Sequence, residues 1–217
     1  MKITTLSIFA VGSLIATTAM ADYTGLSQDG MTDNGDGTWT TRIYANFSAA
    51  SDQLNAVFGD ADGLLSVDST GGFYQNLFGA ATSAGINPAL YDAFPSLLND
   101  SWVSIGLEDQ TGNNMLDIGI DWSSFEGGGS ISTDNGTWFA TPDDPQVEAG
   151  ADLRVLVGQF TMYGLDSHVF GVLNIQGKQG DFETFQEYGI AFDYEFPAPG
   201  ALALLGLAGV ASRRRRK

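Results

Sequence analysis

The chain of 217 residues contains 26 acidic and 9 basic residues, one histidine and no cysteine, and its formal net charge is −17. Residues 22–196 hold all 26 acids but only three basic residues, Arg42, Arg154 and Lys178, so this segment carries 3 − 26 = −23. Nucleic acid is excluded as a partner, because binding it requires a basic face that neutralises phosphates. The missing cysteines exclude disulfides and thiolate metal sites, and the single histidine excludes a multi-histidine metal centre.

Residues 1–21 have the three parts of a secretory signal peptide. Lys2 supplies the positive charge, residues 8–16 form the apolar core, and Ala19 and Ala21 give the small-x-small pattern before a cut directly after Ala21. A buried N-terminal helix and an uncleaved anchor are the alternatives, but the apolar core is short against the ~20 residues that span a bilayer. We therefore predict export by the Sec machinery and removal of residues 1–21 by signal peptidase.

Residues 22–196 are predicted to form a single all-β domain. Alternation of apolar and polar residues indicates half-buried strands, and it is clearest at 39–47, 116–122 and 188–196. Residues 73–99 are predicted as a short helical or irregular insert. About nine short strands predict an antiparallel β-sandwich of jelly-roll-like type. Glycine-rich turn signals separate the other predicted strands, which are 54–58, 64–67, 101–107, 137–141, 153–163 and 169–176.

The Asp-Asn-Gly-Asp-Gly sequence at residues 33–37 superficially resembles a calcium loop. An EF-hand requires a bidentate Glu at its twelfth position, where this chain has Ile43. We therefore interpret residues 33–37 as a hairpin turn. The related fragment at 134–138 indicates either a second equivalent hairpin or a chance repeat.

Clustered acids in predicted loops make calcium a candidate ligand. Calcium takes six to eight oxygens, often from separate loop segments, whereas any single acidic pair is typical of a solvated surface. A segment at −23 also repels itself, so we expect screening by salt or modest stabilisation by bound cations. The sequence indicates no other cofactor. The acidic pairs are Asp60 and Asp62, Glu108 and Asp109, and Asp143 and Asp144.

No residue earns a catalytic role from the sequence. Paired carboxylates can hydrolyse polysaccharides, but chance pairs are unavoidable among so many acids. Asp166-Ser167-His168 contains the residue types of a hydrolase triad, yet triads draw on distant segments, and we interpret this stretch as a turn before a strand.

Aromatic side chains are candidates for stacking on sugars. Trp39 and Trp122 share their strand faces with aliphatic residues, which predicts that they lie in the core. Tyr44 falls on the opposite, wetter face of its strand and is the better surface candidate. The other candidates, most of them predicted to be core residues, are Trp102, Trp138, Tyr74 and Tyr91.

The C-terminus has three parts in order: Pro197-Ala198-Pro199-Gly200, an apolar run at 201–211, and a basic cluster of Arg213, Arg214, Arg215, Arg216 and Lys217. This tail resembles a PEP-CTERM sorting signal, with Pro197 and Pro199 in the usual prolines' places and Ala198 where the family usually has Glu. The resemblance covers about a tenth of the chain. It implies recognition and removal by an exosortase-like membrane protease, in bacteria that make exopolysaccharide. A simple tail anchor is the alternative.

The sequence thus predicts an exported, non-catalytic protein of the cell surface or extracellular matrix, with a structural, adhesive or ligand-binding role. Extracellular polysaccharide is a candidate partner, and the membrane is contacted only through the C-terminal tail, where the arginines would stop transfer on the cytoplasmic side. A secreted carboxylate-based polysaccharide hydrolase and a glycan-binding module are the alternatives.

Overall fold

A computed structural model describes residues 22–142, 144–180 and 183–195. In this part of the chain the strands pair into two antiparallel sheets, one of four strands and one of seven. The predicted all-β sandwich is confirmed.

The first sheet has the strand order β1-β2-β9-β5. Its strands are β1 (Tyr23–Asp33), β2 (Thr38–Phe47), β5 (Trp102–Val103) and β9 (Arg154–Tyr163). β2 alternates as the sequence predicts, with Ile43, Ala45 and Phe47 buried, and β9, predicted from its more continuous apolar run, is buried from Val155 to Met162. The hairpin predicted at residues 33–37 is confirmed, because β1 and β2 are antiparallel neighbours joined by residues 34–37.

The second sheet has the order β6-β8-β3-β10-β4-β7, with β11 paired along β10. Its strands are β3 (Gln53–Gly59), β4 (Leu65–Ser69), β6 (Leu116–Ile118), β7 (Ile131–Thr133), β8 (Gly136–Phe139), β10 (His168–Gln179) and β11 (Glu183–Glu195). Asp134 and Asn135 connect β7 to β8, but β7 pairs with β4 while β8 pairs with β3 and β6. The second Asp-Asn-Gly fragment is therefore not an equivalent hairpin.

The main core lies between the two sheets. It is built from the alternating inward residues of both, and its largest fully buried side chains include Trp138, Phe125 and Phe160. Phe125 comes from a short helix, α1 (Ser123–Glu126). Burial of these aromatic side chains, together with the aliphatic residues of the core, stabilises the sandwich.

Residues 73–99 are irregular, as predicted, and they contain three single-turn 3₁₀ helices. This insert covers the outer face of the four-stranded sheet, where Ile86 and Leu97 pack with Tyr44, Trp102 and Leu156 in a second buried cluster. The molecule therefore has three layers: the insert, the four-stranded sheet and the seven-stranded sheet. The 3₁₀ helices of the insert are Ser83–Gly85, Pro88–Leu90 and Pro95–Asn99, and a fourth lies at Pro145–Val147.

Three predictions about individual segments are wrong. The strand predicted at 101–107 is only Trp102–Val103, and the one predicted at 116–122 ends at Ile118. Tyr44 is only 8 % exposed, because the insert covers the face of β2 that alternation assigns to solvent.

Candidate ligand-binding face

The outer face of the seven-stranded sheet brings apolar and amide side chains together across five strands. One cross-strand row places Leu116 of β6 opposite Phe139 of β8, and Phe139 opposite Ala56 of β3. The row continues with Gln176 of β10 and Gln186 of β11, whose amides are joined by a 3.1 Å hydrogen bond. The row therefore has apolar side chains on β6, β8 and β3 and amide side chains on β10 and β11.

A second row lies beside the first. Ile118 of β6 is opposite Thr137 of β8, which is opposite Phe58 of β3. Phe58 is opposite Asn174 of β10, and Tyr188 of β11 packs edge-to-face on Phe58 with ring centroids 5.3 Å apart. Leu116 and Ile118 are 58 % and 66 % exposed. We call these two rows the outer face. They contain no acidic side chain, although the whole chain has 26 acidic residues.

A groove of about 600 Å³ follows this outer face. It is lined by Phe58, Phe139, Gln176 and Lys178, with Thr137 and Thr184, among other residues. A second depression of about 550 Å³ lies over the loops at Leu107–Asn114 and Thr141–Gln146, and it shares Thr141 with the groove. Both volumes fall in the range of about 300–1,000 Å³ that is typical of ligand sites. The aromatic, amide and hydroxyl groups of the groove can bind a ligand by stacking and hydrogen bonding. None of the described residues that line it is acidic.

A β-bulge in β11 turns Tyr188 toward this outer face. Leu173 pairs with Ile190 and Ile175 pairs with Glu187, so Tyr188 and Gly189 together oppose Asn174. Gly189 has a φ of 67°, which favours glycine. Asn174 is fully buried and stabilises the bulge, accepting a hydrogen bond from the Gly189 N–H. The alternation at 188–196 predicts that Tyr188 shares a face with Phe192, and the bulge makes that prediction wrong.

Tyr188 is fixed at its hydroxyl as well. The hydroxyl donates a 2.8 Å hydrogen bond to Oδ2 of Asp60, and this bond raises the pKa of Tyr188 and lowers the pKa of Asp60. Oδ1 of Asp60 accepts from the backbone N–H groups of Asp62 and Gly63. The Asp60 carboxylate therefore stabilises the turn at residues 60–63 and fixes the side chain of Tyr188.

The insert presents a second exposed apolar surface, which we call the apolar tip and define as Leu77, Phe78, Phe94 and Leu98. Leu77 is 91 % exposed and Phe78 is 43 % exposed. The rings of Phe78 and Phe94 lie 4.0 Å apart. Leu77 and Phe78 are the two central residues of a β-turn that is closed by a hydrogen bond from the Gly79 N–H to the Asn76 carbonyl.

A buried carboxylate holds this turn from below. Oδ1 of Asp100 accepts from the Asn76 N–H at 2.6 Å, and Oδ2 accepts from the Ala80 N–H at 3.1 Å. Burial raises the pKa of Asp100 to about 6, although these backbone hydrogen bonds oppose the shift. The Asn76 amide extends the support, because it donates to the hydroxyls of Tyr74 and Ser96.

Arg42 and Arg154 both lie at the outer side of the four-stranded sheet. Arg42 makes two hydrogen bonds to the carboxylate of Glu108, and Arg154 donates to Asp29 while its guanidinium stacks on the ring of Tyr44 at 3.9 Å. Burial would raise the pKa of Asp29, but hydrogen bonds from Arg154 and Tyr44 outweigh it and lower the value. Through these contacts Arg42 and Arg154 stabilise the four-stranded sheet.

The acidic pairs proposed for calcium are partly engaged in such contacts. Glu108 pairs with Arg42, the Asp109 carboxylate accepts from the Thr111 N–H, and the Asp144 carboxylate accepts from Asn114. Among the described residues, no group of three or more His, Asp or Glu side chains is arranged to hold a metal ion. Asp143 lies outside the described residues, and calcium binding stays a prediction.

The side chains of His168 and Ser167 have different hydrogen-bond partners. It begins β10, and its Nδ1 and Nε2 atoms lie 3.2 Å and 3.5 Å from carboxylate oxygens of Asp193 and Glu195 on β11. The Ser167 hydroxyl instead donates to the Tyr163 carbonyl. The turn predicted before the strand is confirmed.

The tryptophans are mostly used for packing. Trp102 and Trp138 are buried, and Trp122 packs against the main core while its indole N–H donates to Asp117. Trp39 is partly buried. The exposed aromatic residues of the outer face were not singled out from the sequence, because their grouping depends on the pairing of strands that are distant in the chain.

The residues predicted to act in processing lie outside the described residues. They are Ala19, Ala21, Pro197, Pro199, Arg213, Arg214, Arg215 and Arg216, and their roles stay predictions. In the part of the chain that the structure describes, no helix has the length and apolar composition that crossing a bilayer requires. Comparison with protein-family models, curated proteins and solved structures gives no match.

Proposed function

We propose that this protein is exported to the cell surface or extracellular matrix and acts there without catalysis, as an adhesive or ligand-binding protein. Its binding surface would be the outer face of the seven-stranded sheet. The observation that carries the proposal is the contrast in charge: a chain of net −17 keeps two complete cross-strand rows free of acid. Solubility alone favours charged residues on an exposed sheet face.

The chemistry of this face supports binding. Exposed Leu116 and Ile118 leave apolar area in water at one end of the rows, and such area is removed from water only by a partner. Gln176 and Gln186 at the other end supply amide hydrogen-bonding groups. Apolar anchors beside polar groups are the usual composition of a protein-binding interface.

Delivery rests on the two terminal segments. The signal peptide at 1–21 would direct export, and the PEP-CTERM-like tail at 197–217 would hold the chain in the membrane until an exosortase-like protease releases it. The membrane would be contacted only transiently, through this tail.

A glycan-binding module is the second candidate. It is favoured by Tyr188, which is 43 % exposed and lies in the row beside that of Gln176 and Gln186. Aromatic faces and side-chain amides suit the two kinds of sugar surface, C–H faces and hydroxyl groups. The bound sugar would be an uncharged or weakly charged extracellular polysaccharide, since the acidic chain repels anionic polymers at long range.

The test is surface adhesion by cells that export the full chain. Leu116→Asp and Ile118→Asp place charge on the outer face at two highly exposed positions, so the fold should be kept. We expect both variants to be exported in normal amounts and to reduce cell aggregation and matrix retention at least several-fold. Leu165→Asp, at an exposed turn outside the outer face, is the matched control. Unchanged adhesion in the outer-face variants would contradict the proposal.

A further inference from the structure

The apolar tip of the insert is an unusual feature of this acidic chain. Central positions of β-turns favour Gly, Asn, Asp, Pro and Ser, yet here they are Leu77 and Phe78. Phe94 packs against Phe78 with the two rings tilted by 30°, and Leu98 is also exposed. The chain therefore places four large apolar side chains in one protruding group.

The tip is held in one conformation before anything binds. Both ends of the turn are hydrogen-bonded to Asp100, and the Asn76 side chain accepts a hydrogen bond from the Phe78 N–H. Burying a carboxylate costs free energy even when it is hydrogen-bonded. A turn fixed in this way loses little conformational entropy on association, which is the advantage of a preorganised anchor.

The tip and the groove of the outer face lie on opposite sides of the molecule. The tip belongs to the insert, which covers the four-stranded sheet, and the Leu98 carbonyl accepts a hydrogen bond from Gln159 of that sheet. The groove lies on the far surface of the seven-stranded sheet. One copy cannot fill its own groove with its own tip, whereas a second copy can.

The two surfaces match in shape and in charge. Leu77 is 91 % exposed, and the groove is a depression lined by Phe58 and Phe139, with the exposed Leu116 opposite Phe139. Neither the four tip residues nor the two rows of the outer face include an acid, although the rest of each copy is strongly acidic. When these two surfaces meet, no carboxylate of the tip or of the two rows is brought against another, which favours their contact.

We propose that the apolar tip of one copy inserts into the outer-face groove of a second copy. This inference rests on the proposed function, because it names the partner of the same outer face. Since tip and groove are different surfaces, the contact is heterologous, and each added copy leaves one tip and one groove open. Such a contact builds chains or closed rings from a single protein, which is a structural role suited to a matrix.

Cross-linking can test this directly, because the chain has no cysteine of its own. The exported full chain would carry Leu77→Cys in the tip together with Leu116→Cys beside the groove, and would be treated with a short bis-maleimide. We expect a ladder of dimers, trimers and larger species on denaturing gels. Each single-cysteine variant should stay monomeric, and so should the pair Leu77→Cys with Leu165→Cys.

Phe78→Asp in the double-cysteine chain should abolish the ladder, while its melting temperature stays within a few degrees of the parent. A dimer formed by Leu77→Cys alone would show a tip-to-tip contact and overturn the proposal, as would an unchanged ladder after Phe78→Asp. If no ladder forms but Ile118→Asp still abolishes adhesion, the outer face has a different occupant, such as a glycan, and only this inference fails. If no ladder forms and adhesion is also unchanged, the proposed function fails too.

Discussion

A Cβ atom placed on Gly79 would lie 1.8 Å from Oδ2 of Asp100. No side chain larger than hydrogen fits between the turn that carries Leu77 and the carboxylate that holds it. Glycine is therefore required at position 79, because the backbone of the turn lies too close to the Asp100 carboxylate to leave room for a Cβ atom.

Gly79→Ala should therefore weaken the hydrogen bonds to Asp100 and destabilise the chain by about 1–3 kcal/mol. Urea denaturation followed by tryptophan fluorescence would measure the change. Gly30→Ala is the matched control, since nothing lies within 4 Å of its Cβ position, and it should shift the free energy of unfolding by less than about 0.5 kcal/mol. If Gly79→Ala and Gly30→Ala changed the free energy of unfolding equally, the close contact between Gly79 and Asp100 would be contradicted.

Asp100 should also make stability depend on pH. Its pKa is raised to about 6 in the folded chain, whereas an unfolded aspartate titrates near 3.9. The folded state thus binds the proton of Asp100 more tightly, so the contribution of Asp100 to stability is greatest below about pH 4 and is lost as the pH rises through about 6.

Asp100→Asn removes this titration. Between pH 4 and 7 the native chain should lose up to about 3 kcal/mol relative to the variant, as measured by urea denaturation at several pH values. Acids whose pKa is lowered, such as Asp29 and Asp60, lose their contribution at low pH in both proteins and cancel in the comparison. Asp92→Asn, at an exposed position of the insert, should keep the native slope. If the free energy of unfolding of Asp100→Asn changed with pH as steeply as that of the native chain, Asp100 would not be the group responsible.

Cations should stabilise the acidic chain. We expect the melting temperature to rise with sodium chloride through screening, and to rise slightly further with calcium at the same ionic strength, because a divalent ion associates more strongly with a surface near −23. Identical melting temperatures in calcium and in chelator, at fixed ionic strength, would count against calcium binding.

The basic end of the chain should control sorting. Replacing Arg213–Arg216 with neutral residues removes the positive stop on the cytoplasmic side, so we expect impaired tail removal and reduced surface delivery. Immunoblots of membrane and extracellular fractions would show the uncleaved form accumulating. Normal delivery and normal tail removal would argue against a PEP-CTERM-like signal, and Lys178→Gln, which changes a charge outside the tail segment, provides the control.

Much of the strand content was predictable because local alternation survives in the folded chain. The strands β2, β9 and β10 lie where period-two patterns or continuous apolar runs place them. The first strand, Tyr23–Asp33, was not predicted, because it is an edge strand with a weak pattern and mostly half-exposed residues.

The candidate site was much less predictable. Leu116 and Ile118 alternate with polar residues, and alternation alone assigns the apolar side to the core. In the structure that side faces outward on the edge strand β6, so the pattern identified a strand but not its orientation. The outer face joins residues from five strands that are far apart in sequence, and Asp100 resembles an ordinary loop acid until its burial is known.

The bulge at Gly189 divides β11 into two halves with opposite phase. Before it, Phe185 packs against the core while Gln186 and Tyr188 face outward; after it, Ile190 and Phe192 face inward. A serine scan along this strand should therefore find odd-numbered positions sensitive on one side of the bulge and even-numbered positions on the other. Deleting Gly189 would remove the extra residue and leave a regular strand in which Tyr188 still faces outward and Ile190 inward, whereas a regular ladder that kept Gly189 would turn one half of the strand over.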